Sequence, residues 1–511
     1  MKFPSRKAFT AGVALTAVLA VTSCAAGSTD DGEDATGRGD TLTVATVLEV
    51  ESFDPAQAKG AHHRQFYQPV YDTLIRQEPD LRLVPMLATD WEYNDDATEL
   101  TLTIRDDVEF TDGTALDAEA VKLNLERLKD GNGPSASLFS LVSGVSAPDE
   151  TTVVISLDAP DPSLLDNLAV QTSFIASPTA IEAGNIDTQP VGSGPYVMDV
   201  AASVPGSQYT FAANEDYWDP SIQHYDEVIL RVIPDRTATL NGLLTGQLNA
   251  GLITPKTRDE AVAGGLDEHL NEVNFSGITL LDRDGTVLEP LGDKDVRQAI
   301  NYAIDRSEIL AQIEQGLGTA TSQIFPEGSP AFIEENEDLY PYDPEKAKEL
   351  LAGAGYADGF DMEIPAVNVD PAFQAAISQN LGDVGINVVW NERPASEGVS
   401  VATSGDFVAA VKPNGLGNTW WMAQQMLAPD ASNNPFGTSD PRIDAALETI
   451  QFGSAEESAQ AQRDLSAVVT EDAWFVPFYR SALVFVTDEE TEVDVQTYQA
   501  VPSIYSYRPA G

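Results

Sequence analysis

Beyond residue 40 the chain alternates short β-branched runs with capped helical periodicities, and the alternation starts afresh in its second half. Thr41-Leu42-Thr43-Val44-Ala45-Thr46, Leu100 to Ile104 and Thr152 to Leu157 alternate like strands. A helix is expected to start near Thr114, with Asp117 three residues on and Val121, Leu125 and Leu128 at helical spacing. Asp235 opens another, with Leu240, Leu243, Leu244 and Leu248 on its apolar side. In the second half Asp295 precedes the stripe Val296, Ala299, Ile300, Ala303 and Ile304. Asp343-Pro344 reads as an N-cap followed by proline at the first helical position, and Gly355 closes that helix. A strand from Met362 to Val367, a helix carrying Phe373, Ile377, Leu381 and Val384, and a strand from Ile386 to Trp390 follow. Trp474 to Tyr479 and Ala482 to Val486 read as two late strands returning to the first half. This pattern predicts α/β layers. No low-complexity linker divides the halves, so short crossovers are expected to join them.

The 511 residues give material for two or three domains, and 42% hydrophobic content argues against wholesale disorder. With 81 acidic against 28 basic residues the net charge is −53, the wrong sign for gripping nucleic-acid phosphates. A single cysteine excludes a disulfide scaffold and any multi-cysteine metal site. His62, His63, His224 and His269 are too dispersed for a histidine-rich centre, and no cofactor is expected. The adjacent pair His62-His63 leaves two readings open, contact with a bound metal complex or a solvated loop.

The N-terminus reads as an export signal. Lys2, Arg6 and Lys7 precede an apolar run from Ala8 to Val21, which is too short to span a membrane comfortably. The run ends in Val21-Thr22-Ser23-Cys24, which resembles a bacterial lipobox and implies cleavage before a lipidated Cys24. Cleavage would remove three cations and no anion, leaving −56 on the remainder. Residues 24–40 hold no large apolar side chain and are expected to be a flexible tether. Nothing downstream approaches a transmembrane span.

Several ordered stretches resemble the peptide/nickel-binding family of extracellular solute-binding proteins of ATP-binding-cassette importers. They are Phe53-Asp54-Pro55-Ala56, Val70-Tyr71-Asp72-Thr73-Leu74-Ile75, Pro85 to Glu92, and Phe110-Thr111-Asp112-Gly113 running on to Glu126-Arg127. Pro190-Val191-Gly192-Ser193-Gly194-Pro195-Tyr196, Asn214 to Trp218, and Val296-Arg297-Gln298-Ala299-Ile300 on to Asp305-Arg306 complete the set. Each also reads as a determinant of fold: Asp112-Gly113 as a turn, Gly192 and Gly194 as a tight turn without a phosphate loop, Asp305-Arg306 as a helix end.

The resemblance implies a two-lobed periplasmic-binding-protein-like α/β fold with an extra subdomain inserted in the first lobe. On that pattern lobe one covers residues 41–273 with 479–511 and lobe two covers 274–478. The lobes close on a ligand, and the closed protein, a monomer held on the membrane by its lipid, delivers a peptide or small molecule to permease subunits. Trp420 and Trp421, after Pro413-Asn414-Gly415-Leu416-Gly417-Asn418-Thr419, stand where the family places its ligand-lining tryptophan loop; core packing is their alternative reading. Glu49, Phe53, Phe275, Ser276 and Gly277 are further lining candidates. Peptide binders of this family commonly carry an aspartate three residues after the tryptophan, which holds the ligand's ammonium. Here Ala423 and Gln424 take that spacing, and Asp430 is the next acid. Either the site ignores a free amine, or Asp430 or Glu49 folds in to hold it. The solute is then a peptide, or a sugar, metal chelate or other small molecule.

Two rival classes stand beside this. A secreted Ser–His–Asp hydrolase is compatible with the composition, although no Gly-x-Ser-x-Gly elbow is present. A structural surface protein lacks its usual repeats and Pro/Thr stalks.

Overall fold

The computed structural model describes residues 38–511 except 368, 395, 396, 398, 399 and 402. The expected signal segment and Cys24 lie outside the described residues. Gly39 and Asp40, assigned above to the tether, belong to the first strand, Gly39–Thr46. That strand pairs in parallel with Tyr225–Val232 on one side and Ala250–Ile253 on the other. It sits within one nine-stranded mixed sheet, in the order Ala409–Gly415, Asp267–Leu280, Phe475–Thr487, Ala250–Ile253, Gly39–Thr46, Tyr225–Val232, Gln208–Ala213, Tyr196–Met198. The short strand Gly318–Ala320 adds to Phe475–Thr487.

Two strands of this sheet carry the chain between its halves. Asp267–Leu280 and Phe475–Thr487 pair antiparallel from Asp267 opposite Thr487 to Thr279 opposite Phe475, with register shifts at Glu272/Asn274 and Ser276/Gly277. At one end Val484 and Val486 pack with Ala45, Leu240 and Ile253. At the other, Ile278, Val476 and Phe478 pack with Val296, Ile300 and Ile364. A strand of 14 residues spans about 45 Å at ~3.3 Å per residue, enough to enter both cores. The sequence suggests two separate late strands because Arg480-Ser481 interrupts the apolar run. The run continues because the buried Arg480 guanidinium holds Glu272 Oε2 and Glu337 Oε1, each at 2.8 Å.

A separate four-stranded antiparallel sheet, Ala88–Tyr93, Glu99–Ile104, Thr152–Leu157 and Val142–Asp149, has its own core. Leu100, Leu102, Val153 and Ile155 meet Val121 and Leu125 of the helix Ala118–Asp130 there. That helix begins one turn later than its sequence suggests, because Asp117 and not Thr114 is the cap, accepting from the Ala120 amide at 2.8 Å. Thr114 instead pairs with Phe110 across the Asp112-Gly113 turn, where Gly113 has φ +82°.

Asp72 explains why three of the motifs travel together. Its carboxylate, fully buried, accepts from Ser193 Oγ (3.0 Å), the Tyr217 hydroxyl (2.9 Å) and Trp218 Nε1 (2.8 Å). The Gly194 and Tyr196 amides bond to the carbonyls of Val70 and Pro69. A Cβ on Gly192 or Gly194 would lie 2.2 or 2.5 Å from backbone atoms of Val70, so only glycine permits this backbone-on-backbone approach.

In the second half Arg297 and Arg306 are likewise structural. Arg306 donates to the carbonyls of Thr321, Pro477, Asn301 and Tyr340 and to Asn301 Oδ1, knitting the helix Arg306–Ile313 to the crossing strand. Asp305 begins that helix as its N-cap instead of ending the preceding one, Lys294–Tyr302. Phe360–Ala366 and Ile386–Glu392 pair in parallel beside these helices. Among the described residues no helix is long and apolar enough to cross a membrane.

Candidate ligand-binding cavity

A cavity of about 810 Å³ opens where residues far apart in sequence converge. One wall comes from the first half, with His62, Asp166, Gln171 and Arg236. The other comes from the second, with Ser329 and the segment Gly415 to Trp421. Val273 and Asn274, midway along the crossing strand, line it as well, together with Leu483.

The tryptophan wall is built locally. The strand Ala409–Gly415 ends, and Asn418 caps the helix Thr419–Met426 by accepting from the Trp421 amide at 2.8 Å. Trp420 and Trp421 therefore stand in the first turn, and both touch the cavity. They differ in burial. Trp420 is 9% exposed and packs with Phe275, Met426 and Trp474. Trp421 is half-buried and lies over the preceding loop, its Cε3 2.8 Å from where a Cβ on Gly417 would stand.

The remaining candidates fall elsewhere. Phe53 is buried in the first-half core, edge-on to Tyr67, Tyr209 and Phe211, and does not reach the cavity. Phe275 is 1% exposed and meets Phe475 edge-on, since alternate residues of a strand point to opposite faces and its neighbour Asn274 takes the cavity side. Ser276 and Gly277 lie at the register shift against Tyr479 and Pro477, outside the cavity lining. Glu49 and Asp430 are exposed, and neither lines the cavity. Ala423 is fully buried in the apolar core under the tryptophans.

The acid that does line the cavity is Asp166, on the helix Leu164–Leu168. Its Oδ2 accepts from Asn418 Nδ2 at 2.8 Å, and Ser163 Oγ reaches Asn418 Oδ1 at 3.3 Å. Burial raises its pKa, and the Asn418 bond only partly opposes this. Asp161 is raised too, first by burial and then by the Asp166 charge. A further contact bridges the same halves, Gln451 Nε2 to the Pro160 carbonyl (2.9 Å), and the Tyr498 hydroxyl, also in the cavity lining, reaches the Glu327 carbonyl (2.6 Å).

His62 and Arg236 supply the nitrogen chemistry. Burial, then the charges of Arg236 and His63, push the His62 pKa down to about 4, so the imidazole is neutral at physiological pH. Its Nδ1 is buried without a partner, and Ala61 beside it holds a positive φ of 52°. Among the described residues no group of three or more His, Cys, Asp or Glu is arranged to hold a metal ion. The cavity thus offers aromatic surface, one carboxylate, one guanidinium and neutral polar groups, a set suited to binding. Sequence reasoning missed Asp166 and Arg236. Arg236 carried a signal, a cation in the first turn of a helix, where the peptide dipoles disfavour it.

The model of the bacterial extracellular solute-binding proteins, family 5, matches residues 82–441. The chain is 25% identical over 465 residues to the glutathione-binding protein GsiB of Shigella flexneri serotype 5b, covering 87% of this chain and 89% of that one. It is 26% identical over 524 residues to heme-binding protein A of Haemophilus influenzae, covering 94% of each. The periplasmic binding protein DppA of Helicobacter pylori, solved with the peptide STSA, superposes with a TM-score of 0.75 over 93% of this chain and 99% of that one, at 20% identity. The fold is the two-lobed one of periplasmic binding proteins. With about 70% of its length matched by the family model, the chain belongs to the bacterial extracellular solute-binding proteins of family 5.

Proposed function

We propose that this protein is the binding subunit of an ATP-binding-cassette importer, and that it captures a peptide or peptide-sized solute between two closing lobes. The supporting observation is the cavity itself, which draws one wall from each half and is bridged by Asn418 and Asp166. A ligand touching both walls favours the closed arrangement and shifts the population toward it, which is the form a permease would read. Lobe one is taken as residues 41–273 with 479–511 and lobe two as 274–478, with the hinge in the paired crossing strands. Cys24 is the proposed lipid attachment, holding a monomer at the outer face of the cytoplasmic membrane. The protein acts by binding without turnover.

The alternative solute is not a peptide. Ala423 in place of an acid favours it, since the amine-holding carboxylate of peptide binders is absent there. Thermal unfolding with pooled tri- to pentapeptides, with sugars and with metal chelates separates the readings. A ligand that binds only the native state raises Tm, by an amount equivalent to about 2.7 kcal/mol at a hundredfold excess over Kd. A rise with the peptide pool, with peptides recovered intact, is expected. A rise with chelates or sugars alone replaces the peptide reading, and no rise with any pool rejects the binding function.

A further inference from the structure

We infer that Arg236 and His62 form a carboxylate-binding subsite in the cavity wall, so that the captured solute carries a free carboxylate. The inference rests on the binding function proposed above and adds the chemical class of the ligand.

In a chain with 81 acidic and 28 basic residues, a guanidinium without a carboxylate is unexpected. Arg105, Arg442 and Arg508 each hold one, and the buried Arg297 and Arg306 are wrapped by carbonyl oxygens. Among the described residues Arg236 makes no hydrogen bond or ion pair. Burial alone shifts it, and no carboxylate contributes. It stands half-buried in the cavity wall as the first residue of the helix Arg236–Leu244. Asp235 caps that helix, its Oδ1 accepting from the Thr237 and Ala238 amides, and it makes no ion pair with Arg236.

His62 lines the same cavity, near enough for the Arg236 charge to contribute to lowering its pKa, and the neutral ring leaves Nδ1 buried without a partner. A carboxylate placed here satisfies the guanidinium fork and an imidazole N–H together. A phosphate would bring a second negative charge with no second cation among the residues lining the cavity. Asp166, the carboxylate lining the same cavity, is bonded to Asn418 and makes no ion pair with Arg236.

The test uses equilibrium dialysis of the protein against a tripeptide library with free C-termini and the same library as C-terminal amides, read by mass spectrometry. Wild type should retain the free acids at least about tenfold better, the scale of one charge-assisted hydrogen bond. Arg236→Met should abolish the preference, and Arg236→Lys, which keeps the charge but not the fork, should retain part of it. Equal retention of acids and amides by wild type, or a preference that survives Arg236→Met in a folded variant, overturns the subsite. If wild type retains neither library, the peptide reading fails, and the monocarboxylate propionate then decides the subsite by thermal unfolding at fixed ionic strength. A propionate-dependent rise in Tm that Arg236→Met removes upholds the carboxylate site for a non-peptide acid. A rise that Arg236→Met leaves unchanged, or no rise, overturns it.

Discussion

Asn418 Nδ2 lies 2.8 Å from Asp166 Oδ2, joining residues 252 positions apart and the two walls of the cavity. The same side chain caps the tryptophan helix through Oδ1. One amide thus couples the geometry of the aromatic wall to the position of the opposite wall of the cavity.

Replacing that amide should separate its two tasks. Asn418→Ala removes cap and bridge together and should cost at least about 1 kcal/mol in urea unfolding. Asn418→Asp keeps a capping oxygen but sets a second carboxylate against Asp166. Small-angle scattering at neutral pH should show a larger radius of gyration for Asn418→Asp than for wild type. Because burial raises the Asp166 pKa, acidification should restore compactness before ordinary carboxylates protonate. An unchanged radius would show that the bridge does not hold the lobes.

The two tryptophans should respond in opposite ways. Trp420 is embedded in the core, so Trp420→Ala should lower unfolding free energy by about 3–5 kcal/mol. Trp421 is half-buried over Gly417, so Trp421→Ala should cost clearly less stability while weakening binding of whatever solute the thermal screen identifies. Gly417→Ala should mimic the binding loss, since the added methyl displaces the ring.

Asp72 should imprint a pH slope on stability. Burial pushes its pKa up to about 7 against the hydrogen bonds of Trp218, Tyr217 and Ser193. Between about pH 4 and 7 the native state holds a proton that the unfolded chain has released. Its contribution is therefore fully present below that window and is lost as pH rises through it. Urea unfolding across the window should show Asp72→Asn flattening the decline relative to wild type. Parallel slopes would place the titration elsewhere.

Arg306 should matter to stability and not to the ligand. Five acceptors surround its guanidinium, four of them main-chain carbonyls from separate segments. Arg306→Met strands these buried groups and should cost at least about 3 kcal/mol by urea unfolding. A loss below about 1 kcal/mol would mean that water takes over the carbonyls.

The sequence by itself determined whatever depends on near neighbours. The caps at Asp235 and Asp343 and the strand at Thr152–Leu157 were legible, because a cap or an alternating strand is specified within a few residues. The tryptophan segment was legible through its resemblance to a family, and the cavity does contain it. Only the tertiary structure decided which aromatic side chains line the cavity and which lie wholly in the core. Phe53 and Phe275 carry no local mark of their burial, which is set by Tyr209, Phe211 and Phe475 arriving from distant strands. The charges of the site were hidden for the same reason. Asp166 and Arg236 are ordinary acid and base in one dimension, and their solvation changes only when chain crossing brings Asn418 against one and leaves the other without a partner in a partly dry wall.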